Sequence, residues 1–190
     1  MKKNVKRIVG AVLCTAMLLC PATMSIAAMP ASAATVSASQ TQNQYTPYTL
    51  SEIRCFQEGK LNFTVKSNVT FNKVNSYYTF KDATGKNLTA TGIQVMVYNP
   101  NSGWVTPSGD GIKGGYKETA NTSSKTVSWC YTDFTNMKHC LIKGRYLKLA
   151  IAPVRKQGIS TKFATSKYYS NIVYFDYYSK CMVSASVVNG

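Results

Sequence analysis

Apolar and polar residues alternate one by one in short runs along this chain: Leu61, Phe63, Val65; Tyr78, Phe80; Ile93, Val95, Val97; Val127, Trp129, Tyr131; Tyr146, Leu147, Leu149, Ile151; and Ile172, Val173, Phe175. A strand sends successive side chains to opposite faces, so a period of two marks a half-buried strand. The runs are rich in Val, Tyr, Phe and Thr, which suit a pleated surface. Turn formers punctuate them at Glu58-Gly59-Lys60, Ala83-Thr84-Gly85, Asn99-Pro100-Asn101, Lys143-Gly144 and Gln157-Gly158. Beyond residue 33 no stretch keeps a helical period for three turns, so the crossover helices of a parallel sheet are missing. The pattern predicts an all-β domain, an antiparallel β-sandwich of about seven strands.

The N-terminus follows a different logic. Lys2, Lys3, Lys6 and Arg7 precede an apolar run from Ile8 to Leu19, and Ala31-Ser32-Ala33 ends the segment with small residues. That order is a secretory signal peptide. Thr15 interrupts the run and Pro21 ends it, short of the roughly 20 residues a permanent transmembrane helix requires. The Lys-rich start resembles bacterial export signals. The expected organisation is a signal peptide over 1–33, a flexible Ala/Ser/Thr/Gln-rich lead-in over 34–48 and a single β-sandwich domain over 49–190. A chain of 190 residues cannot hold a large multidomain enzyme. The expected location is outside the cell or at its envelope, with no stable membrane insertion after cleavage.

Four of the 22 basic residues lie in the leader, so 18 remain against all seven acids, a formal charge of +11. Four cysteines also remain: Cys55, Cys130, Cys140 and Cys181. An even number in an oxidising compartment reads as disulfides, with three pairings open. Zinc is the competing reading, but His139 is the one histidine and no Cys-x-x-Cys pair exists. No metal and no other cofactor is expected.

The stretch Leu141-Ile142-Lys143-Gly144-Arg145-Tyr146-Leu147-Lys148-Leu149-Ala150-Ile151-Ala152 resembles the E-F corner and F strand of fibronectin type III domains. Ser166 to Phe175 resembles their closing G strand. The resemblance implies an immunoglobulin/fibronectin-III-like sandwich. In it Tyr146 is the corner tyrosine, its ring in the core and its hydroxyl bonded to the chain upstream. In such a sandwich the first and last strands lie near one another, which favours Cys55 with Cys181, and Cys130 with Cys140 flanking the connection before strand F. The fold by itself assigns no function.

Catalytic chemistry finds little to work with. A paired-carboxylate hydrolase would have to draw on Glu52, Glu58, Asp82, Asp110, Glu118, Asp133 and Asp176, which in so basic a domain are more simply surface partners of Lys and Arg. A Cys-His dyad would need Cys140 as a free thiolate beside His139. The glycine-rich stretch Ser108 to Gly115 lacks the P-loop pattern and reads as a long hairpin within the insertion Asn99 to Ser124. What remains is an excess of basic and tyrosine side chains. Positive potential attracts polyanions, and exposed tyrosines contact sugars and proteins. The expected function is a secreted, non-catalytic binding or adhesion module for an anionic polymer, a glycan or an extracellular protein, nucleic acid not being an expected partner. The expected binding residues are Lys143, Arg145, Lys148, Arg155, Lys156, Tyr168 and Tyr177. The alternatives are a small secreted hydrolase on a β-scaffold and a secreted inhibitor acting through loop insertion.

Overall fold

A computed structural model describes residues 43–56, 60–107 and 115–190, all within one compact unit, Ala33–Gly190. The expected signal peptide, most of the expected lead-in, residues 108–114 of the glycine-rich stretch, including Asp110, and Glu58 lie outside the described residues. The strands are β1 (Tyr48–Phe56), β2 (Lys60–Ser67), β3 (Thr79–Lys81), β4 (Asn87–Thr89), β5 (Gly92–Asn99), β6 (Gly103–Val105), β7 (Tyr116–Glu118), β8 (Thr126–Tyr131), β9 (Tyr146–Gln157), β10 (Ser160–Phe163), β11 (Val173–Asp176) and β12 (Cys181–Val183). Two short helices, α1 (Phe71–Tyr77) and α2 (Ala185–Asn189), and two 3-10 turns, Phe134–Cys140 and Ser166–Tyr168, complete the described chain.

The chain is all-β, and every strand pairing is antiparallel. One sheet has the order β1-β2-β8. A larger one has the order β12-β11-β9-β5-β6, with β10 added to β9 and β7 to β5, and β3-β4 form a separate hairpin. Among the described residues there are 12 strands where the alternation predicts about seven. The additions are mostly edge pieces of three or four residues, too short to display a period.

Alternation decides which side chains go inward. On β2, Leu61, Phe63 and Val65 are buried and Asn62, Thr64 and Lys66 are not; on β8, Val127, Trp129 and Tyr131 are buried between exposed neighbours. These meet Val95 and Val97 of β5, Leu147 and Leu149 of β9 and Phe175 of β11 in one core cluster shared by the two sheets. β5 and β9 differ in being buried on both faces. Met96, Ala150 and Ala152, of opposite parity, join Phe80, Ala90, Ala164 and Tyr169 in a second cluster on the far side of the larger sheet. Fully burying one such Leu, Val or Phe contributes about 1.5–3 kcal/mol before the cost of ordering it.

The expected lead-in is fastened where it can be seen. Asn43 Nδ2 donates to the carbonyls of Lys167 and Tyr169 at 2.7 and 3.0 Å, Thr46 Oγ1 donates to the Tyr168 carbonyl, and the Tyr78 hydroxyl donates to the Tyr45 carbonyl. Residues 43–47 are thus strapped to the second 3-10 turn. The polar composition that reads as a flexible linker supplies the strap's hydrogen-bonding groups.

Candidate ligand-binding face

The outer side of the larger sheet carries one cross-strand row. Trp104 of β6 is the register partner of Tyr98 on β5, Lys148 of β9 is the partner of Tyr174 on β11, and Tyr174 is the partner of Val183 on β12. The Lys148 ammonium closes the row, 4.6 Å from the Tyr98 ring centroid and 5.7 Å from that of Trp104. The local cause is parity: Val97, Leu149, Val173 and Phe175 turn into the shared core, so Tyr98, Lys148 and Tyr174 must face the other way. All are half-buried. Tyr98 and Trp104 meet edge to face at 5.6 Å, and Trp104 meets Tyr169 edge to face at 5.4 Å. Tyr169 is buried, and burial pushes its hydroxyl pKa to about 12, so it stays neutral.

The expected binding residues do not form one patch. Lys143 is exposed in the turn before β9 and has a left-handed backbone (φ 49), followed by Gly144 at φ 64. These two successive left-handed residues tighten the three-residue loop that Ile142 and Tyr146 close. The Arg145 guanidinium is taken by Asp176: Nε and Nη2 lie 2.8 and 2.7 Å from Oδ2. Arg155 and Lys156 sit about 30 Å further along the 12-residue β9, at about 3.3 Å per residue. Arg155 there faces Lys162 in register, and the Lys156 ammonium lies 5.5 Å from the Tyr116 ring. Of the basic residues expected, Lys148 alone lies over two half-buried rings, where Arg145 and Lys156 each lie over one.

The tyrosines divide similarly. Tyr168 is half-buried, with the Lys167 ammonium 5.0 Å from its ring centroid and Tyr45 edge-on at 6.3 Å. Tyr177, expected at the surface, is buried and stacked on Phe134 at 4.5 Å, with the Lys180 ammonium 4.5 Å from its ring. It contributes to the core rather than to a contact face. Tyr146 departs from the corner-tyrosine role. Its backbone makes the corner, exchanging hydrogen bonds with Ile142 at 2.8 and 3.0 Å, but its ring is half-buried, outside the core cluster and beneath Arg145. Parity explains this, since Leu147 occupies the inward position.

The four cysteines form no disulfide among the described residues. Cys130 is on the outer side of β8, accepting a contact from Asn62 Nδ2 at 3.5 Å, whereas Cys140 is fully buried in the shared core. Thiols aimed at opposite sides of a sheet cannot be bridged without moving backbone, so the expected Cys130–Cys140 pair is not formed. Cys55 packs against the core on β1, while Cys181 lies beside the Arg145–Asp176 pair and its neighbour Met182 turns toward β1, Ile53 N–H meeting Met182 Sδ at 3.2 Å. Burial raises the pKa of Cys55, Cys140 and Cys181.

Three of the described acids are engaged locally. Glu52 pairs with Arg54, Asp82 accepts from Thr84 and the Lys86 amide, and Asp176 holds Arg145. No group of three or more His, Cys, Asp or Glu residues among the described ones is placed to hold a metal ion, and no described helix is long and apolar enough to cross a membrane. Compared with models of known protein families, with curated proteins and with solved structures, the chain matches none of them. Sequence reasoning missed Tyr98 and Trp104, and did not single out Tyr174 from the tyrosines clustered with it. The parity that exposes Lys148 also exposes Tyr98 and Tyr174, but Trp104 falls in the insertion and carries no alternation of its own.

Proposed function

We propose that the chain is an exported, non-catalytic binding module for an anionic polymer, working outside the cell or at its envelope, with the outer row around Lys148 as its ligand face. The observation that carries this reading is an ammonium group held over two half-exposed rings with no ion-pair partner among the described residues. The two ion pairs among the described residues are Arg54–Glu52 and Arg145–Asp176, and neither involves Lys148. A cation fixed in this way has its charge in place before a ligand arrives, which reduces the ordering cost of binding. The excess of basic over acidic side chains adds long-range attraction for a polyanion.

The resemblance to fibronectin type III domains gains support from strand order. The order β1-β2-β8 in one sheet, and β11-β9-β5 within the other, follows the arrangement in which strands A, B and E form one sheet and C, F and G the other, with β12 and β6 as further strands at the two ends of the larger sheet. Export rests on the leader alone, and any pairing of Cys55 with Cys181 belongs to oxidised, secreted material. Retention on an immobilised polyanion over a salt gradient tests the function. Wild type should elute at high salt and Lys148→Glu distinctly earlier, since each neutralised charge adds to the salt dependence. Arg155→Glu, at the far end of β9, should elute closer to wild type. Identical elution of Lys148→Glu and wild type would remove this face as the site.

A further inference from the structure

The row at Lys148 has a counterpart. The Lys167 ammonium lies 5.0 Å from the Tyr168 ring and 5.8 Å from the Tyr45 ring, and Tyr45 is 49% exposed. Lys167 has no carboxylate partner among the described residues either. Two other lysines lie over rings without making such a station: Lys180 covers Phe134 and Tyr177, both buried, and Lys156 covers Tyr116 alone. The stations at Lys148 and Lys167 lie on the same side of the larger sheet. Trp104 and Tyr168 both pack against the cluster containing Met96, Ala150, Ala152 and Tyr169. They are also linked through rings, because Trp104 touches Tyr169, the next residue after Tyr168.

We infer that these two stations form one track for a single strand of an acidic polysaccharide of low charge density, its carboxylate or sulfate groups on Lys148 and Lys167 and its sugar rings against Trp104 and Tyr168. The inference rests on the polyanion reading above and narrows it to one ligand class. Charge spacing is the first argument. Nucleic acid carries a phosphate about every 3.4 Å along a strand, whereas here each cation lies over two aromatic rings, Lys148 over Tyr98 and Trp104 and Lys167 over Tyr168 and Tyr45, which fits a ligand whose apolar discs outnumber its charges. Backbone availability is the second. An acidic peptide would bind best by adding a strand to a sheet edge, whereas Tyr98, Lys148 and Tyr174 stand on the face of the central strands β5, β9 and β11, whose hydrogen-bonding groups pair with one another, and only Trp104 is on the edge strand β6. A face of rings and lysines offers sugars the amphipathic surface they need.

The chain provides its own reporter. Of the two tryptophans, Trp129 is buried in the shared core and Trp104 is half-exposed on the track. Titrate the purified protein, by Trp fluorescence and calorimetry, with a length series of hyaluronan oligosaccharides, which carry one carboxylate per disaccharide, and with polyphosphate and oligo-dT as dense polyanions. Affinity for hyaluronan should rise at least about tenfold once an oligomer is long enough to reach both stations, with a change in Trp104 emission. Lys167→Ala should abolish that rise and leave the shortest oligomer unaffected; Lys148→Ala should weaken every length. If affinity is independent of length, or Lys167→Ala changes nothing, the two-station track is wrong and the Lys148 face stands alone. If polyphosphate or oligo-dT binds and hyaluronan does not, the polysaccharide class is wrong and the polyanion reading survives. If none of the probes binds, the polyanion reading itself falls.

Discussion

Replacing Asp176 by Asn tests whether the end of β9 is held by one carboxylate. Asp176 Oδ2 accepts from Arg145, and Oδ1 accepts from the amides of Tyr178 and Ser179 at 2.9 and 3.0 Å. The side chain is 4% exposed, while that of Arg145 is 51% exposed. An asparagine keeps the shape but must turn its NH2 group either at the guanidinium or at the two backbone amides, so donors face donors on one side. Hydrogen bonds to a charged group are worth about 1.5–3 kcal/mol, and a stranded buried donor costs about 1–3. Water reaches Arg145, which relieves part of the loss, so the expected destabilisation is about 2–3 kcal/mol. In urea, with m near 2 kcal/mol/M, the midpoint should fall by about 1–1.5 M with m unchanged. The pH dependence supplies a second check. Burial alone would raise the Asp176 pKa, but the Arg145 hydrogen bond and the Ser179 and Tyr178 amides outweigh it and hold the pKa below the usual carboxylate value. A depressed folded-state pKa stabilises above the unfolded value, near 3.9, and that stability is lost as pH falls through the folded pKa. The gap between wild type and Asp176→Asn should therefore be full at neutral pH and close below about pH 4. A loss under about 0.5 kcal/mol, or a gap that ignores pH, would refute the reasoning.

Three further outcomes are expected. Gly92→Ala should lower the melting temperature, because an added Cβ would lie 2.6 Å from the Lys117 carbonyl oxygen and 2.7 Å from the Tyr116 ring, forcing β7 away from β5; overpacking of this kind costs about 1–3 kcal/mol. Tyr146→Phe should leave the urea midpoint almost unchanged, since its hydroxyl is outside the core; a loss above about 1 kcal/mol would restore the corner-tyrosine role. In reduced protein, Cys130 should react with a thiol reagent in native buffer and Cys140, which is fully buried, only after unfolding; equal rates would contradict the opposite orientation of the two side chains.

Alternation made the central strands legible. Leu61-x-Phe63-x-Val65 and Val127-x-Trp129-x-Tyr131 emerge as β2 and β8 with the expected residues inward. β1 escaped because its register shifts between Leu50 and Glu52, which breaks the period within the strand. α1 escaped because seven residues give only two turns, with Phe71 and Val74 as its apolar face. Tyr78, read as part of a strand with Phe80, instead follows that helix. The candidate site was less legible for a different reason. Trp104, Tyr98, Lys148 and Tyr174 come from four strands, and only pairing register brings them into one row. Basic density along the sequence pointed instead to residues that β9 spreads over its whole length.

The short side chains of Ala150 and Ala152 set something no ligand would touch. They belong with Tyr169 to the buried cluster against which Trp104 and Tyr168 pack. The height of those rings above the sheet is therefore fixed from below. A larger residue at either position would lift the aromatic surface relative to the Lys148 and Lys167 ammonium groups, changing how ring and charge are presented together while leaving every exposed side chain as it was. Selection on such a surface can act through its foundations, so two chains with identical exposed residues and different floors would differ in what they hold.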